Sequence, residues 1–528
     1  MTSKISFTAG WARQSRFVHR VVAAAYLCSM AACGGGGSPS NGAIVDRTGS
    51  GVAASWTPNV FLPSSTFAAQ CAAPRTGTGD TQGSAVTENN WLRSWTNELY
   101  FWYDEVIDRD PAAYATPAYF DLMKTAATTA SGSAKDRFHF ALATDAWNAL
   151  SQSGTSVGYG FEWAALKTTP PRQYLVAYVD PGYSVNIARG ALVLSIDGVD
   201  MANDNTTAGI AVLNAGLFPA SAGESHTFVV QDAGSSTSRS VMLTSADITS
   251  TPVQNVQTIA TPTGPVGYML FNDHIATAED QLIAAINTLH SASVTDLVLD
   301  IRYNGGGYLY IASELAYMIA GPSATGGRTF ERTQFNNKYP STDPVTGQPI
   351  VPVPFYSSSS TSSALPTLNL SRVFVLTGPS TCSASESIIN SLRGVNVEVI
   401  QVGSTTCGKP YGFYPQDNCG TTYFSIEFQG VNDKNFGDYT DGFSPNNTVG
   451  SAGERIPGCS VADDFNHALG DPAEQRLAAA LTYRTLPGGV CGTATGMAKH
   501  QMLTDPSITD GLVHKAPWLQ NRILSPNR

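Results

Sequence analysis

Charged side chains are scarce in this 528-residue sequence, where Asp, Glu, Lys and Arg together make up 13% of the residues. That content is about half of what a typical soluble domain carries, and it is more typical of exported proteins than of cytosolic ones. Positive charge is the scarcer sign, with 30 Lys and Arg against 41 Asp and Glu and a net charge of −11. No long basic run occurs after the first 20 residues. A surface for the phosphate backbone is therefore not expected, and nucleic acid is excluded as an expected partner.

The apolar run near the N-terminus is too short to span a bilayer. It reads VVAAAYLCSMAAC over residues 21–33 and follows four basic residues, which is the pattern of a signal peptide. Its end, Met30-Ala31-Ala32-Cys33, resembles a bacterial lipobox, in which the cysteine becomes the lipidated first residue. We predict that residues 1–33 are a lipoprotein-type signal peptide and that Cys33 anchors the protein to a membrane. The expected location is the envelope of a Gram-negative-type bacterium, facing the periplasm or outer membrane; cleavage to a soluble periplasmic protein is the alternative.

The cysteines show no Cys-x-x-Cys pair or other zinc-ligand spacing, so a structural metal is not expected. Export would instead permit disulfides among the six cysteines beyond the predicted signal, which are Cys71, Cys382, Cys407, Cys419, Cys459 and Cys491. Proximity in sequence favours pairing Cys407 with Cys419 and Cys459 with Cys491. A bond between Cys382 and Cys407 is an alternative that would join two candidate active-site loops.

Composition and periodicity divide the rest of the chain into segments. Residues 34–87 begin GGGGSPSNG and are rich in small polar residues, as in a flexible tether. Aromatic and apolar residues at three- and four-residue steps predict a helical N-terminal domain over residues 88–152. Short strands predict a β-rich domain over residues 153–248, and strands alternate with helices over residues 249–485, as in an α/β domain. Residues 486–528 form a loop-like C-terminal extension.

The stretch VFVLTGPSTCSASESIIN, residues 373–390, places a serine where a strand turns into a helix. VFVLTG is a buried strand by composition, and apolar residues at helical spacing follow. Ser383 then lies at a helix N-terminus, whose N–H groups and partial positive charge can stabilise an oxyanion. The same Ser383-Ala384-Ser385-Glu386 segment also fits a capping box, in which the serine only satisfies backbone donors. The stretch alone leaves both interpretations open.

Three elements in this order resemble the carboxyl-terminal processing, or tail-specific, serine protease family. TCSASE resembles the family's Thr-Ala-Ser-Ala-Ser-Glu element and places the nucleophile on Ser383. GKPYGF resembles the Gly-Lys-Gly turn that carries the general base and places it on Lys409, which must be desolvated to accept the serine proton. DIRYNGGG, residues 300–307, resembles the family's Asp-Leu-Arg-Asn-Asn-Pro-Gly-Gly signature. The resemblance implies an oxyanion hole made by Gly306 and the N–H of Ala384.

The family also carries a PDZ domain, which residues 153–248 resemble. The sequence VGYGF is similar to the carboxylate-binding loop of that domain and ends in Gly158, Tyr159, Gly160 and Phe161. The resemblance implies that these four residues bind peptide segments or C-termini. A β-rich structural insert is the alternative.

The chain departs from the family at one position. Many members have, four residues beyond the lysine, a glutamine that orients it, and here that position is Phe413. Gln416 is one substitute, and a Ser–His arrangement with His274 is another, since some related proteases use histidine. Apolar walls for Lys409 are expected from Tyr411, Phe413 and Tyr414.

The expected fold is an α/β multidomain protein: a helical N-terminal domain, a PDZ-like β-rich domain and an α/β protease core with a strand-turn-helix nucleophile corner. The expected function is cleavage of peptide bonds in protein substrates through a Ser–Lys acyl-enzyme, without a metal or organic cofactor. The alternatives are a catalytically silent envelope protein of the same fold that binds peptides or scaffolds complexes, and a hydrolase of non-peptide esters.

Overall fold

Residues 56–486, 489–498, 508–513 and 522–524 are described by the computed structural model of the protein. The predicted signal peptide, its Cys33 and the first part of the predicted tether lie outside these residues. Within the described ranges, none of the helices is both long enough and apolar enough to cross a lipid bilayer.

Helix α1, Ala85–Leu99, organises the N-terminal region. The rings of Trp91 and Trp95 lie one turn apart and stack with centroids 5.2 Å apart, and both rings are buried. The aromatic spacing read from the sequence therefore builds a packing face, as expected of a buried helix stripe. The other elements of this region are β1 Gln70–Cys71, β2 Thr81–Gln82, α2 Thr116–Asp121, β3 Phe140–Ala143 and α3 Thr144–Ser153.

A β-rich region follows, and its main sheet has the strand order β10-β9-β7-β6-β5-β27, with β8 paired to β7. The last strand of that order comes from the C-terminal part of the chain and adds antiparallel to β5. The elements are β4 Thr155–Gly158, β5 Phe161–Lys167, β6 Gln173–Val179, β7 Leu192–Ile196, β8 Val199–Asp200, α4 Thr207–Leu217, β9 Ser225–Gln231, β10 Ser238–Thr244, β11 Ala246–Thr249 and β27 Ile508–Val513.

The central domain is built on a six-stranded sheet of order β12-β13-β14-β18-β19-β26. All its neighbouring strands run parallel except the antiparallel pair β12 and β13. The strands are β12 Val253–Ile259, β13 Val266–Phe271, β14 Asp296–Asp300, β18 Arg372–Thr377, β19 Glu398–Gly403 and β26 Gly458–Ser460. The helices are α5 Ala278–Ser291, α6 Leu309–Ala320, α7 Pro322–Thr325, α8 Ala384–Gly394 and α9 Gln475–Thr485.

Both faces of this sheet are covered, which explains why its strands read as continuous apolar runs. Side chains alternate between the faces along each strand. Val373 and Val375 belong to the core shared with α5, α6 and α8, whereas Phe374 and Leu376 belong to the core shared with α9 and the β-rich region. Burying each of these side chains stabilises the fold by roughly 1.5–3 kcal/mol. The structure thus confirms the predicted α/β core.

The carboxyl ends of the parallel strands set the position of the candidate site. Strand β14 ends at Asp300, β18 at Thr377 and β19 at Gly403. Because parallel strands end at the same edge of a sheet, the loops that carry Gly306, Ser383 and Lys409 leave from one edge, where α/β proteins place their ligands.

Further strands form small sheets of two to four strands. They are β15 Gly307–Tyr308, β16 Thr329–Phe335, β17 Val353–Pro354, β20 Tyr411–Gly412, β21 Gln416–Asn418, β22 Thr421–Phe424, β23 Phe428–Val431, β24 Phe443–Pro445, β25 Glu454–Ile456 and β28 Arg522–Ile523. Strand β22 pairs with β3, so the N-terminal region is joined to the central domain through a shared sheet.

A buried charge cluster joins the β-rich region to the central domain. Arg302 is fully buried and donates to Asp300, Asp463 and Glu474, and Arg189 of the β-rich region donates to the same Asp463. Burial by itself would raise the pKa of Asp463, but the surrounding arginines outweigh it and hold that pKa well below its usual range. Because each charge is paired, the cluster holds the segment after β14 in place without an uncompensated buried ion.

Within the part of the chain that the structure describes, three disulfides join Cys71 to Cys419, Cys382 to Cys407 and Cys459 to Cys491. The predicted Cys459–Cys491 pair is confirmed, and the predicted Cys407–Cys419 pair is wrong. Cys419 instead bonds a residue 348 positions away, which proximity in sequence could not indicate because the fold brings the N-terminal region onto the central domain.

Candidate active site

Ser383 occupies the corner between strand β18 and helix α8. It is the N-cap of α8, is fully buried, and has φ 58° and ψ −113°. A non-glycine residue in this region is strained, and such strain persists only where the surrounding structure imposes it, most often at functional sites. The apolar face of the helix, with Ile388, Ile389 and Leu392, is buried in the core. The packed helix therefore fixes Ser383 beside its own N-terminal amides.

Glu386 connects the corner of Ser383 to the loop of Lys409. Its buried carboxylate accepts hydrogen bonds from the backbone N–H groups of Ser383 at 3.0 Å and of Gly408 and Lys409 at 2.8 Å each. The Thr406 hydroxyl is a fourth donor. The capping interpretation of the sequence accounts for only the first of these bonds. Glu386 thus positions both predicted catalytic residues, a role that sequence reasoning missed.

Lys409 is fully buried and lies between two aromatic rings. Its Nζ is 4.6 Å from the ring centroid of Phe138 and 5.1 Å from that of Phe413. Gly408 precedes it with φ +79°, and a side chain at Gly408 would clash with the Thr440 carbonyl oxygen at 2.3 Å. The turn therefore needs glycine. Burial takes the amine out of bulk water, as a lysine base requires, while the ring faces can also accommodate its charged form.

Several polar groups near the segment that follows Lys409 are buried. Burial raises the pKa values of the Tyr411 and Tyr414 hydroxyls well above their ordinary range. It also raises the pKa of the Glu427 carboxyl, which accepts the N–H of Tyr414 at 2.9 Å. Of the three residues expected to wall Lys409, Phe413 faces its amine, whereas Tyr414 packs in a separate cluster with Phe335 and Phe428. Gln416, considered as a substitute for the missing glutamine, lies on β21 opposite Tyr423.

The Cys382–Cys407 disulfide is the second link between the two loops. Cys382 directly precedes Ser383, and Cys407 lies two residues before Lys409. A backbone hydrogen bond from the Cys407 N–H to the Thr381 carbonyl, 3.0 Å long, runs beside it. The covalent link restricts how far Ser383 and Lys409 can separate.

The glycine loop after β14 reaches the same corner through Asn304. The Asn304 carbonyl accepts from the Cys382 N–H and from the Ser385 hydroxyl, each at 3.0 Å. Its side-chain oxygen accepts the Gly306 N–H at 2.9 Å. In this conformation the Gly306 amide is therefore engaged by Asn304, and its predicted part in an oxyanion hole requires Asn304 to turn away. Ala384 supplies the first amide of α8.

His274 also lies beside the glycine loop. Its Nδ1 is 3.0 Å from the Asn304 side-chain oxygen, and its backbone N–H donates to the Gly306 carbonyl at 3.1 Å. A side chain on Gly307, which has φ +137°, would meet the His274 carbonyl oxygen at 2.4 Å. The histidine that the sequence offered as an alternative base is thus part of the same site.

The N-terminal region covers this site. Phe138 faces Lys409, and the guanidinium of Arg137 donates to the Cys407 carbonyl. Ser383 and Lys409 have no exposed surface, so the conformation described is closed to a protein substrate. The sequence did not predict that residues 135–142 cover the site, because their pattern does not indicate which part of the chain they pack against.

The four residues predicted as a peptide-binding loop lie between β4 and β5. Gly158 ends β4 and pairs with Ala246, Gly160 has φ +82°, and Phe161 begins β5. Tyr159 is buried and its hydroxyl donates to the Gly216 carbonyl at 2.8 Å. Gly160 therefore provides the positive φ at this turn. The side chains of Tyr159 and Phe161, however, belong to the hydrophobic core of the β-rich region.

Replacing Glu386 by Gln is expected to lower kcat for cleavage of a protein substrate by about 100-fold. It is also expected to reduce the free energy of unfolding by roughly 1–3 kcal/mol. An amide offers one acceptor oxygen in place of two, so two buried donors lose their partner. Steady-state kinetics and thermal unfolding measure the two effects. A variant that unfolds earlier but keeps the wild-type kcat in its folded fraction would show that Glu386 is structural only.

Replacing both Cys382 and Cys407 by Ala is expected to lower kcat by roughly tenfold and stability by about 2–4 kcal/mol, the usual effect of opening a disulfide. The Cys459 and Cys491 double Ala variant is the matched control, because its bond closes a loop of similar length, 32 residues against 25, elsewhere on the sheet. We expect the control to lose stability and keep kcat. Equal loss of kcat in both variants would contradict a specific role at the site.

Part of the chain matches the profile of a known family, and its fold is similar to that of a solved structure. Residues 265–416 match the sequence profile of peptidase family S41, and that range contains the glycine loop, Ser383 and Lys409. The fold is similar to a crystal structure described as a candidate S41 protease from Bacteroides fragilis, with 20% identity, 75% of this chain and 97% of that chain covered, and a TM-score of 0.56. The photosystem II D1 C-terminal processing protease aligns at 18% identity over 71% of this chain and 94% of that chain, with a TM-score of 0.42. No curated protein matches the chain.

Proposed function

Because this chain carries a domain of peptidase family S41, we propose that it is a serine endopeptidase that cleaves protein substrates with Ser383 as nucleophile and Lys409 as general base. The observation that carries the proposal is the hydrogen-bonded unit around Glu386, which joins the backbone of Ser383 to the backbone of Lys409. A serine at a strained helix corner coupled to a buried lysine has the components of an activated nucleophile.

In the proposed reaction, the Ser383 hydroxyl attacks the carbonyl carbon of the scissile bond while the neutral Lys409 amine takes its proton. The amine then returns the proton to the leaving nitrogen, and the acyl-enzyme is hydrolysed by water with Lys409 acting again as base. The oxyanion is stabilised by the Ala384 N–H at the positive end of α8. Gly306 contributes once its amide leaves Asn304.

The β-rich region is proposed to bind peptide segments, as a PDZ domain does. In support, the edge of β5 already accepts an extended strand of this chain, since β27 pairs with it antiparallel. Strand addition of this kind supplies main-chain hydrogen bonds to a peptide of any sequence.

Export and lipid anchoring are proposed from the N-terminal sequence pattern. The three disulfides support an oxidising compartment, because disulfides persist outside the cytosol and are rare inside it. A protein held at a membrane by Cys33 would act on substrates in the cell envelope.

A peptide-binding protein without catalysis is the second candidate. Phe413 at the position of the orienting glutamine and the full burial of Ser383 and Lys409 favour it. Both candidates predict peptide binding, but only the enzyme predicts turnover.

The test is cleavage of casein by the full chain before and after treatment with a fluorophosphonate, which phosphonylates activated serines with release of fluoride. The proposal predicts that the rate of casein cleavage falls in proportion to the fraction of chains that carry one covalent adduct. Proteolysis that survives complete adduct formation would contradict a serine mechanism, and binding of casein without cleavage would favour the second candidate.

A further inference from the structure

The C-terminal segment returns to the candidate active site as a short strand. Arg522 and Ile523 form β28, which pairs in parallel with Gly307 and Tyr308 of β15. On its other side Ile523 bridges to Phe413, and the Leu524 N–H donates to the Phe413 carbonyl at 3.3 Å. The segment therefore lies between the two loops of the site, with the glycine loop on one side and the strand after Lys409 on the other.

The two apolar side chains of this segment, Ile523 and Leu524, pack in different surroundings. Ile523 is 4% exposed and belongs to a cluster with Tyr411, Phe413 and Phe424. Leu524 packs against a different cluster, formed by Phe335, Tyr414 and Phe428, and also against the core of the central domain. Successive side chains of an extended strand point in opposite directions. Each therefore packs against its own set of apolar residues, which we call its seat.

Strand β28 lies beside residues of the candidate active site. Its partner Gly307 directly follows Gly306, the amide predicted for the oxyanion hole, and Phe413 holds one of the two rings that face Lys409. A peptide backbone paired in this place lies between the glycine loop and Phe413, with main-chain contacts on both sides. Extended peptides are commonly recognised in this way, with main-chain bonds giving affinity and side-chain seats giving specificity.

The same part of the chain is fastened nearby. Strand β27 pairs with β5, the Val513 N–H donates to the Ser380 hydroxyl at 3.0 Å, and the Asp510 carboxylate accepts from Arg476 at 2.7 Å. Eight residues separate β27 from β28. A ligand on a short tether has an effective concentration in the millimolar range, so it competes with free substrates even when its own affinity is modest.

We propose that residues 522–524 are a tethered pseudosubstrate that occupies the substrate groove, and that substrates are extended peptides which displace it by placing a branched aliphatic side chain in the seat of Ile523. This inference rests on the proposed function for its kinetic consequence. Its structural part, that the groove binds an extended peptide of this type in competition with the chain's own segment, stands apart from catalysis.

The first test is binding, which needs no turnover. A fluorescent peptide with the sequence of residues 519–528, LQNRILSPNR, is titrated onto full-length Ser383→Ala and onto the Ser383→Ala/Ile523→Asp double variant. The second protein is expected to bind at least about tenfold more tightly, the factor that corresponds to about 1.4 kcal/mol, because its own segment no longer fills the groove. A peptide with Asp in place of the isoleucine is expected to bind neither protein.

The second test is kinetic. Ile523→Asp in the full chain is expected to lower KM for casein by about tenfold with kcat unchanged, and the free peptide is expected to inhibit it competitively. Val449→Asp, which introduces the same charge at a side chain 71% exposed, is the matched control and should leave KM unchanged. Ile523→Gly repeats the test without a charge if the aspartate variant does not fold.

Equal peptide binding by both Ser383→Ala proteins, or an unchanged KM in folded Ile523 variants, would overturn the inference. Failure of the proposed function gives a different pattern. In that case no variant cleaves casein, while the binding difference between the two Ser383→Ala proteins persists.

Discussion

Replacing Ser383 by Ala is expected to abolish casein cleavage, with a fall in kcat of about 10⁴-fold or more, as removal of a serine nucleophile does in other enzymes. The change deletes one oxygen at a fully buried position and leaves the N-terminal amides of α8 and the Glu386 carboxylate in place. The fold should survive, because Ala adopts the φ of 58° at a cost similar to that of Ser. Casein cleavage and thermal unfolding, measured on the same preparation, test both statements.

Ser391→Ala is the control for that result. Ser391 is also fully buried on α8, two turns further along the helix, and its hydroxyl has no hydrogen-bond partner among the described residues. Removing it is expected to leave kcat unchanged and stability equal or slightly higher. Comparable cleavage by the two variants would mean that Ser383 caps the helix and does nothing more.

Replacing Lys409 by Met is expected to lower kcat by roughly 10³-fold or more while the protein stays folded. Methionine fills the space of the lysine stem between Phe138 and Phe413 with an apolar chain, so packing is kept and only the amine is lost. Lys409→Arg should fail equally, because a guanidinium stays protonated and cannot serve as a base. Steady-state kinetics on casein, with thermal unfolding as the folding check, measures the effect.

His274 provides the contrasting variant. Under the Ser–Lys proposal, His274→Asn disturbs the Asn304 contact and lowers kcat by roughly tenfold, far less than the loss of Lys409. If Lys409→Met stays active and His274→Asn is inactive, the base is the histidine and the assignment of Lys409 is wrong.

Elements whose residues are neighbours in sequence could be predicted. The continuous apolar run of residues 373–376 and the helical spacing after Ser385 are local signals, and they place Ser383 at a strand-to-helix corner. The structure shows that corner with Ser383 as the N-cap of α8. The glycine loop was equally visible, because only glycine tolerates the φ values of +104° and +137° at Gly306 and Gly307.

Contacts between distant parts of the chain could not be predicted. Three of the four donors to Glu386 lie 20 to 23 residues further along the chain, and Phe138 reaches Lys409 from the N-terminal region. The C-terminal extension was expected to be loop-like, yet it contributes β27 and β28. A two-residue strand has no periodicity of its own, and its pairing is decided by the apolar seats that the rest of the fold provides.

The measurement that tests the central claim most directly is the location and rate of covalent labelling by a fluorophosphonate, read by peptide mass spectrometry in the wild type and in Lys409→Met. The account predicts a single adduct on Ser383, formed at least about 10³-fold more slowly when the amine is absent, since the reagent reports only an activated hydroxyl. An adduct on another serine, or labelling of Ser383 at the same rate in both proteins, would contradict a Ser383–Lys409 catalytic pair.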